Sequence, residues 1–305
     1  MAFDALVADE RPPDVEAAEE RRGSRGRQVL RRFLRAKRGQ AGLCGLLLLI
    51  VLAVAGPYLG HWTFASQDYQ SALSPPNTSH FFGTDQIGQD VYQRTVRGLQ
   101  KSLVIGLVGG PLATVLAATV GSVAGYFGGA TDAALRWFID LMLVLPAFFL
   151  LVILSPVLHR GGMWVVIALI AGFNWMIMAQ VVRGQTRSLR EREFIRAARY
   201  MGIRAPAIIL RHVIPNIASL LIIDATLGVG VTVIAETTLS YFGFGIAAPD
   251  VSLGTLLAEG APSATTYPWL FLGPAGALVA LVLSAGLVGD ALRDAIDPSS
   301  GASRG

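Results

Sequence analysis

The side chains best suited to chemistry are few in this chain and poorly spaced for it. Its four histidines, His61, His80, His159 and His212, are scattered, and no two stand at metal-ligand spacing. The single cysteine, Cys44, excludes an intrachain disulfide, and its place inside an apolar run predicts a buried, inert thiol. No G-x-x-x-x-G-K-[ST] is present to cradle a nucleotide, and no Ser/His/Asp or Cys/His arrangement emerges. Asp85 and Asp90 lack the D-x-D-x-D-G spacing of a calcium loop. The chain therefore reads as no enzyme, with no metal and no cofactor of its own.

What remains are polar groups in costly places and one charged segment. Asp224 lies near the middle of an apolar run, Glu236 near the far end of the same run, and Asp140, Asn174 and Gln180 fall in two others. Ionisable groups at membrane depth are expensive and are functional candidates by default. Asp224, Glu236 and Asn174 are the candidates for a water-lined translocation path. Ordinary interhelical hydrogen bonding is the competing reading, and it leads for Asp140, Asn174 and Gln180. The charged segment is Arg190 to Asn216, REREFIRAARYMGIRAPAIILRHVIPN, set between two apolar runs.

The elements that must position these residues are membrane helices. Of 305 residues 53% are hydrophobic and 15% charged, with mean hydropathy +0.54, a balance far outside soluble globular usage. Six spans can be drawn, at 41–60, 102–126, 139–158, 163–182, 215–237 and 269–289, each near the roughly twenty residues a bilayer requires. Residues 1–40 form a tail that is acidic first and strongly basic from Arg21 to Arg38; disorder is expected to about Arg27, with the basic block held against anionic lipid. Residues 61–101 form a long external loop, 102–289 the core, and 290–305 a closing tail. With the amino end inside, segments 1–40, 127–138, 183–214 and 290–305 hold 21 of the 25 Lys and Arg; only Arg94, Arg97, Lys101 and Arg160 fall outside. That asymmetry predicts both termini on the cytoplasmic side. Gly106/Gly110 and Gly121/Gly125 are small-xxx-small pairs that let helices approach closely. Pro111, Pro146 and Pro274 predict kinks.

Within the charged segment, Phe194, Ala197, Ala198 and Met201 fall at i, i+3, i+4 and i+7, one apolar stripe on a short helix. Gly202 suits the end of that helix, Pro206 the first turn of a second, and Pro215 the start of the next span. An amphipathic helix lying in the headgroups is the plain alternative. Two central alanines bury little area in lipid, however, whereas they let another protein's backbone come close. The pattern resembles the EAA loop of ABC importer permeases, E-A-A, three residues, G, nine residues, I-x-L-P. Ala197, Ala198, Gly202 and Pro215 fall at the matching places, while Arg196 replaces the Glu, His212 the Ile and Ile214 the Leu. Glu191 and Glu193 stand near enough to supply a carboxylate.

Three further stretches carry the same resemblance, to the dipeptide/oligopeptide branch. They are His80–Val91 (HFFGTDQIGQDV against H-P-L-G-T-D-x-L-G-R-D-V), Glu236–Gly260 (ETTLSYFGFG, then LGTLLAEG) and Gly289–Pro298 (GDALRDAIDP against G-D-x-L-R-D-x-x-D-P). Gly83 and Gly88 would bend the first of these. The resemblance implies an all-α polytopic protein with the type I ABC importer permease fold, in a bacterial inner membrane. It implies a second, similar permease, two cytoplasmic ATPases that bind ATP and Mg, an extracytoplasmic peptide-binding protein, surrounding lipid, and no nucleic acid. The expected ATPase-docking residues are Glu191, Glu193, Phe194, Arg196, Ala197, Ala198, Met201, Gly202, Arg204 and Pro206. Two rivals stay open: a secondary transporter run by an ion gradient through Asp224 and Glu236, and a permease of the same kind for a non-peptide cargo such as glutathione or a nickel chelate.

Overall fold

Helices account for most of residues 27–296, the part of the chain that the computed structural model describes, and no strand occurs among the described residues. They are α1 (27–35), α2 (Lys37–Ala55), α3 (Val91–Phe127), α4 (Gly129–Val144), α5 (Ala147–Ile153) and α6 (Ser155–Asn174). Then come α7 (Met176–Arg190), α8 (Glu193–Tyr200), α9 (Ala205–Ile208), α10 (Ile214–Tyr241), α11 (Leu253–Gly260) and α12 (Trp269–Ile296). Four stretches are long and apolar enough to cross a membrane, and six if each of two bent pairs counts as one span. The bent pairs are α4 with α5, turned by 82° at Pro146, and Gly162–Asn174 with α7, turned by 49°. Each bend falls inside or beside a predicted span.

Several expectations need correction. The first spanning helix begins at Lys37, not Ala41, and residues 27–35 are already helical; residues 1–26 and 297–305 lie outside the described part, the final Asp297-Pro298 of the last motif among them. The helix that holds the second predicted span begins at Val91, well ahead of Ser102. Asp90 caps it by accepting from the Gln93 N–H, so the segment VYQRTVRGLQK is helix rather than loop. Pro111 and Pro274 lie inside unbroken helices; of the three prolines only Pro146 marks a break. Cys44 is exposed on the surface of α2, so nothing among the described residues buries it.

α3 is the hub, packing most heavily on α10 and α7. Its glycines explain why. A Cβ on Gly110 would lie 2.7 Å from the Gly228 carbonyl carbon and the Val229 nitrogen, backbone atoms of α10. Cβ atoms on Gly121 and Gly125 would lie 2.5 Å and 2.6 Å from the Ala179 and Arg183 carbonyl oxygens of α7. Both small-xxx-small pairs thus mark crossings where two backbones touch, the arrangement that membrane helices use in place of a hydrophobic drive.

The loop predicted to lie outside is folded. Gly83 (φ +71°) and Gly88 (φ +77°) make its bends, and at Gly88 a Cβ would run into the Asp68 carbonyl. Buried His80 stacks on Trp62 and lies 2.8 Å (Nδ1) from the Asp90 carboxylate. Asp85 accepts from the backbone N–H groups of Ile87 and Gln89 and from Arg94. Its oxygens are therefore engaged in holding the turn.

Candidate functional site

The charged segment forms an elbow of two helices at the end of the bundle. α8 closes on Gly202 (φ +77°): the Gly202 N–H donates to the Arg199 carbonyl and the Ile203 N–H to the Ala198 carbonyl, the paired bonds of a Schellman cap. Pro206 stands in the first turn of α9, which passes through a π-helical turn (Ile209–Val213) straight into α10. The second short helix is therefore not separate, as predicted, but the leading end of a 37-residue helix, Ala205–Tyr241. At about 1.5 Å per residue such a helix is about 55 Å long against a hydrocarbon core of about 30 Å. The elbow thus stands clear of the span that α10 supplies.

Its inner face is a small core of its own. Ile195 (0% exposed) and Ala198 (2%) of α8 pack with Ile208, Val213, Val182 of α7 and Tyr126 of α3. Full burial of an aliphatic side chain of this size stabilises by about 2 kcal/mol. Arg199 lies over the Tyr126 ring at 5.3 Å, and Arg190 donates to the Tyr126 carbonyl at 3.3 Å, tying the elbow to the end of α3.

The outer face is apolar and uncovered. Tyr200 is 90% exposed, Met201 73% and Phe194 44%, with Ala197 exposed between them. Glu191, Glu193, Arg196, Arg204 and Pro206 are exposed as well, and Glu191 pairs with Arg190 at 3.1 Å. Of the predicted docking residues only Ala198 points inward. The predicted stripe is thus split: Ala198 belongs to the elbow's core beside Ile195, which sequence reasoning passed over. Ile195, Ala198 and Gly202 share i, i+3, i+7 spacing as good as that of the other stripe, so a signal was present but ambiguous.

The three path candidates do not form one site. Asp224 of α10 is half-buried and accepts from the Thr114 hydroxyl of α3 at 2.6 Å; its second oxygen has no partner among the described residues. Glu236, one helix face further on, is wholly enclosed: Ser240 donates to one oxygen at 2.5 Å and Ser102 of α3 reaches the other at 3.5 Å. In this conformation Glu236 faces no surface. Asn174 is exposed at the bend between α6 and α7. Gln180 donates to Asp140 at 3.0 Å, an interhelical bond between α7 and α4, as expected for that pair.

Two ion-pair clusters had no signal in the sequence. Arg183 of α7 forks onto both oxygens of Asp132 of α4, Nη2 to Oδ2 at 2.6 Å, bracing the helix that leads to the elbow. Hydrogen bonds to charged groups contribute about 1.5–3 kcal/mol, so Asp132→Ala is expected to lower the thermal midpoint of the detergent-solubilised chain. The swap Asp132→Arg with Arg183→Asp should recover part of that loss. At the opposite end, Arg94 holds Asp85 (2.6 Å) and Glu259 (2.8 Å), while Arg97 and Lys101 hold Asp250 (2.9 Å and 2.5 Å). Three of the four cations predicted to lie outside are therefore neutralised by pairing.

Burial works to raise the Asp250 pKa, but the bonds from Lys101 and Arg97 outweigh it and hold the carboxyl below its ordinary value. A depressed folded-state pKa contributes stability that is complete well above the unfolded value of about 3.9 and is lost as pH falls through the folded one. Asp250→Asn is accordingly expected to destabilise at neutral pH and to flatten the stability profile below about pH 4. Thermal melts between neutral and acid pH check this; an unchanged profile in the variant would refute it.

The family described as "Binding-protein-dependent transport system inner membrane component" matches residues 117–301, and that described as "N-terminal TM domain of oligopeptide transport permease C" matches residues 24–76. The chain is similar to the oligopeptide transport system permease protein OppC of Mycobacterium tuberculosis, 51% identical over 278 residues, 91% of this chain and 96% of the relative. It is 32% identical to OppC of Bacillus subtilis (93% of each chain) and 35% identical to the dipeptide transport system permease protein DppC of that organism (88% of this chain and 84% of the relative).

Proposed function

The chain belongs to the family of binding-protein-dependent transport inner membrane components, and we propose that it is one of two permeases through which an ATP-driven importer moves short peptides. The observation that carries the proposal is the elbow: a folded knob beyond the bilayer whose outer face presents Phe194, Ala197, Tyr200 and Met201. Aromatic residues, Met and Arg are the types enriched where proteins dock, and an uncovered apolar patch marks such a contact. The occupant is a cytoplasmic ATPase that binds ATP and Mg, and its closure presses on α8. Since α9 continues through the π-turn into α10, and the elbow core grips α3 and α7, that push tilts three helices of the bundle together. Alternation between inward- and outward-facing states follows, with both termini cytoplasmic.

Peptide cargo is supported by the relatives named for oligopeptide and dipeptide transport. An extracytoplasmic binding protein delivers it, and the second permease forms the other wall of the path, with Asp224 and Asn174 the groups this chain presents. A gradient-driven carrier working through Asp224 is the second reading. Reconstituting the full assembly into vesicles separates the two. Peptide uptake should require ATP and survive a proton ionophore; uptake without nucleotide, abolished by the ionophore, would overturn the proposal.

A further inference from the structure

A groove of about 1060 Å³ separates the amino-terminal helix from the bundle. Its walls are Val29 and Phe33 of α1, and it runs along Ile222 of α10 and Val288 and Leu292 of α12. Among the described residues Arg32 is the one charged residue that lines it; Asp290 and Asp294, on the last turns of α12, do not. Around Arg32, the stretch 27–38 carries Arg27, Arg31, Arg35, Lys37 and Arg38 and no acidic residue. All six cations are exposed, and no ion pair among the described residues engages any of them. The groove also lies toward one end of the bundle, because α2 starts at Lys37, Ile222 falls in the first third of α10 and α12 is close to its end at Leu292.

An apolar slot at acyl-chain depth, bordered at headgroup depth by cations that no acidic group among the described residues pairs, has a definite complement. We propose that the groove is a binding site for one anionic phospholipid, with its phosphate on Arg32 and its chains along Ile222, Val288 and Leu292. A basic cleft between membrane helices favours an anionic headgroup through charge, and the headgroup's own tails fill the apolar part. A partner helix in the same slot would leave Arg32 and its neighbours without carboxylates unless it supplied several. The inference does not depend on the transport reading above.

The test uses the full chain in mild detergent, examined by native mass spectrometry with three probes: phosphatidylglycerol, phosphatidylcholine with the same acyl chains, and glycerol 3-phosphate. One phosphatidylglycerol should be retained per chain, and neither of the others. Arg32→Gln should weaken retention about fivefold, the effect of one interfacial cation. Ile222→Trp, at a half-exposed position, should abolish retention with every cation still in place; Ala218→Phe, which also lines the groove, is the alternative if that variant fails to insert. Equal retention of phosphatidylcholine overturns the proposal, as does competition by glycerol 3-phosphate alone. Retention that survives filling of the groove would assign the lipid to a diffuse basic surface. Displacement of the lipid when a second permease binds would assign the slot to a protein helix.

Discussion

An Ala197→Trp chain is expected to insert and melt as the parent does, yet to lose ATP-coupled uptake by about thirtyfold or more. Ala197 is exposed on the outer face of α8, so a large side chain there meets nothing within the chain. In the assembled transporter it would be forced into a contact packed around a methyl group, and overpacking of that kind costs about 2 kcal/mol. The neighbouring position behaves differently. Ala198 is 2% exposed inside the elbow's own core, so Ala198→Trp should lower the melting temperature whether or not an ATPase is present. The contrast separates docking from folding: stability measured on the isolated chain should fall for the second variant only, and coupled ATPase activity for both. Ala197→Trp retaining full coupled ATPase activity would show that the outer face contacts nothing.

The second large effect concerns the α3–α10 crossing. Gly110→Leu is expected to prevent accumulation of folded protein, because even its Cβ would lie 2.7 Å from backbone atoms of α10 that cannot turn aside. Gly106→Ala should be milder. Its closest neighbour, at 2.7 Å, is a methyl of Val233, which can rotate, although the Val229 carbonyl at 3.2 Å limits the relief. Gly184 provides the control, being exposed in α7 with nothing within 4 Å, so alanine there should stabilise by about 1 kcal/mol through helix propensity alone. The expected order of detergent melting temperatures is Gly184→Ala, parent, Gly106→Ala, then Gly110→Ala; Gly110→Ala melting with the parent would remove the close crossing from the account.

What could be read from the sequence was what a local rule governs. The spans were legible because the bilayer demands about twenty apolar residues in a row, and the elbow's turn because left-handed backbone at Gly202 and a first-turn Pro206 leave few alternatives. Helix ends were less legible. Val91 to Lys101 is polar enough to pass for loop, and it stays helical because Asp90 caps it and Asp85, Glu259 and Asp250 neutralise its cations. Hydropathy cannot register partners such as Asp250, 153 positions from Arg97. The face of α8 was undecidable for another reason: the two stripes overlap by a residue, and the choice between them rests on Tyr126 and Val182, which arrive from other helices.

In the proposed assembly a nucleotide-hydrolysing partner covers the outer face of the elbow. The most direct measurement places one thiol at Met201, 73% exposed, by Met201→Cys in a Cys44→Ala background, and treats the assembled transporter with a short bifunctional cross-linker with and without ATP. The account predicts a cross-link to the ATPase whose yield changes with nucleotide. A thiol that cross-links to nothing, and is instead shielded by lipid or open to bulk reagent in the intact assembly, would contradict it.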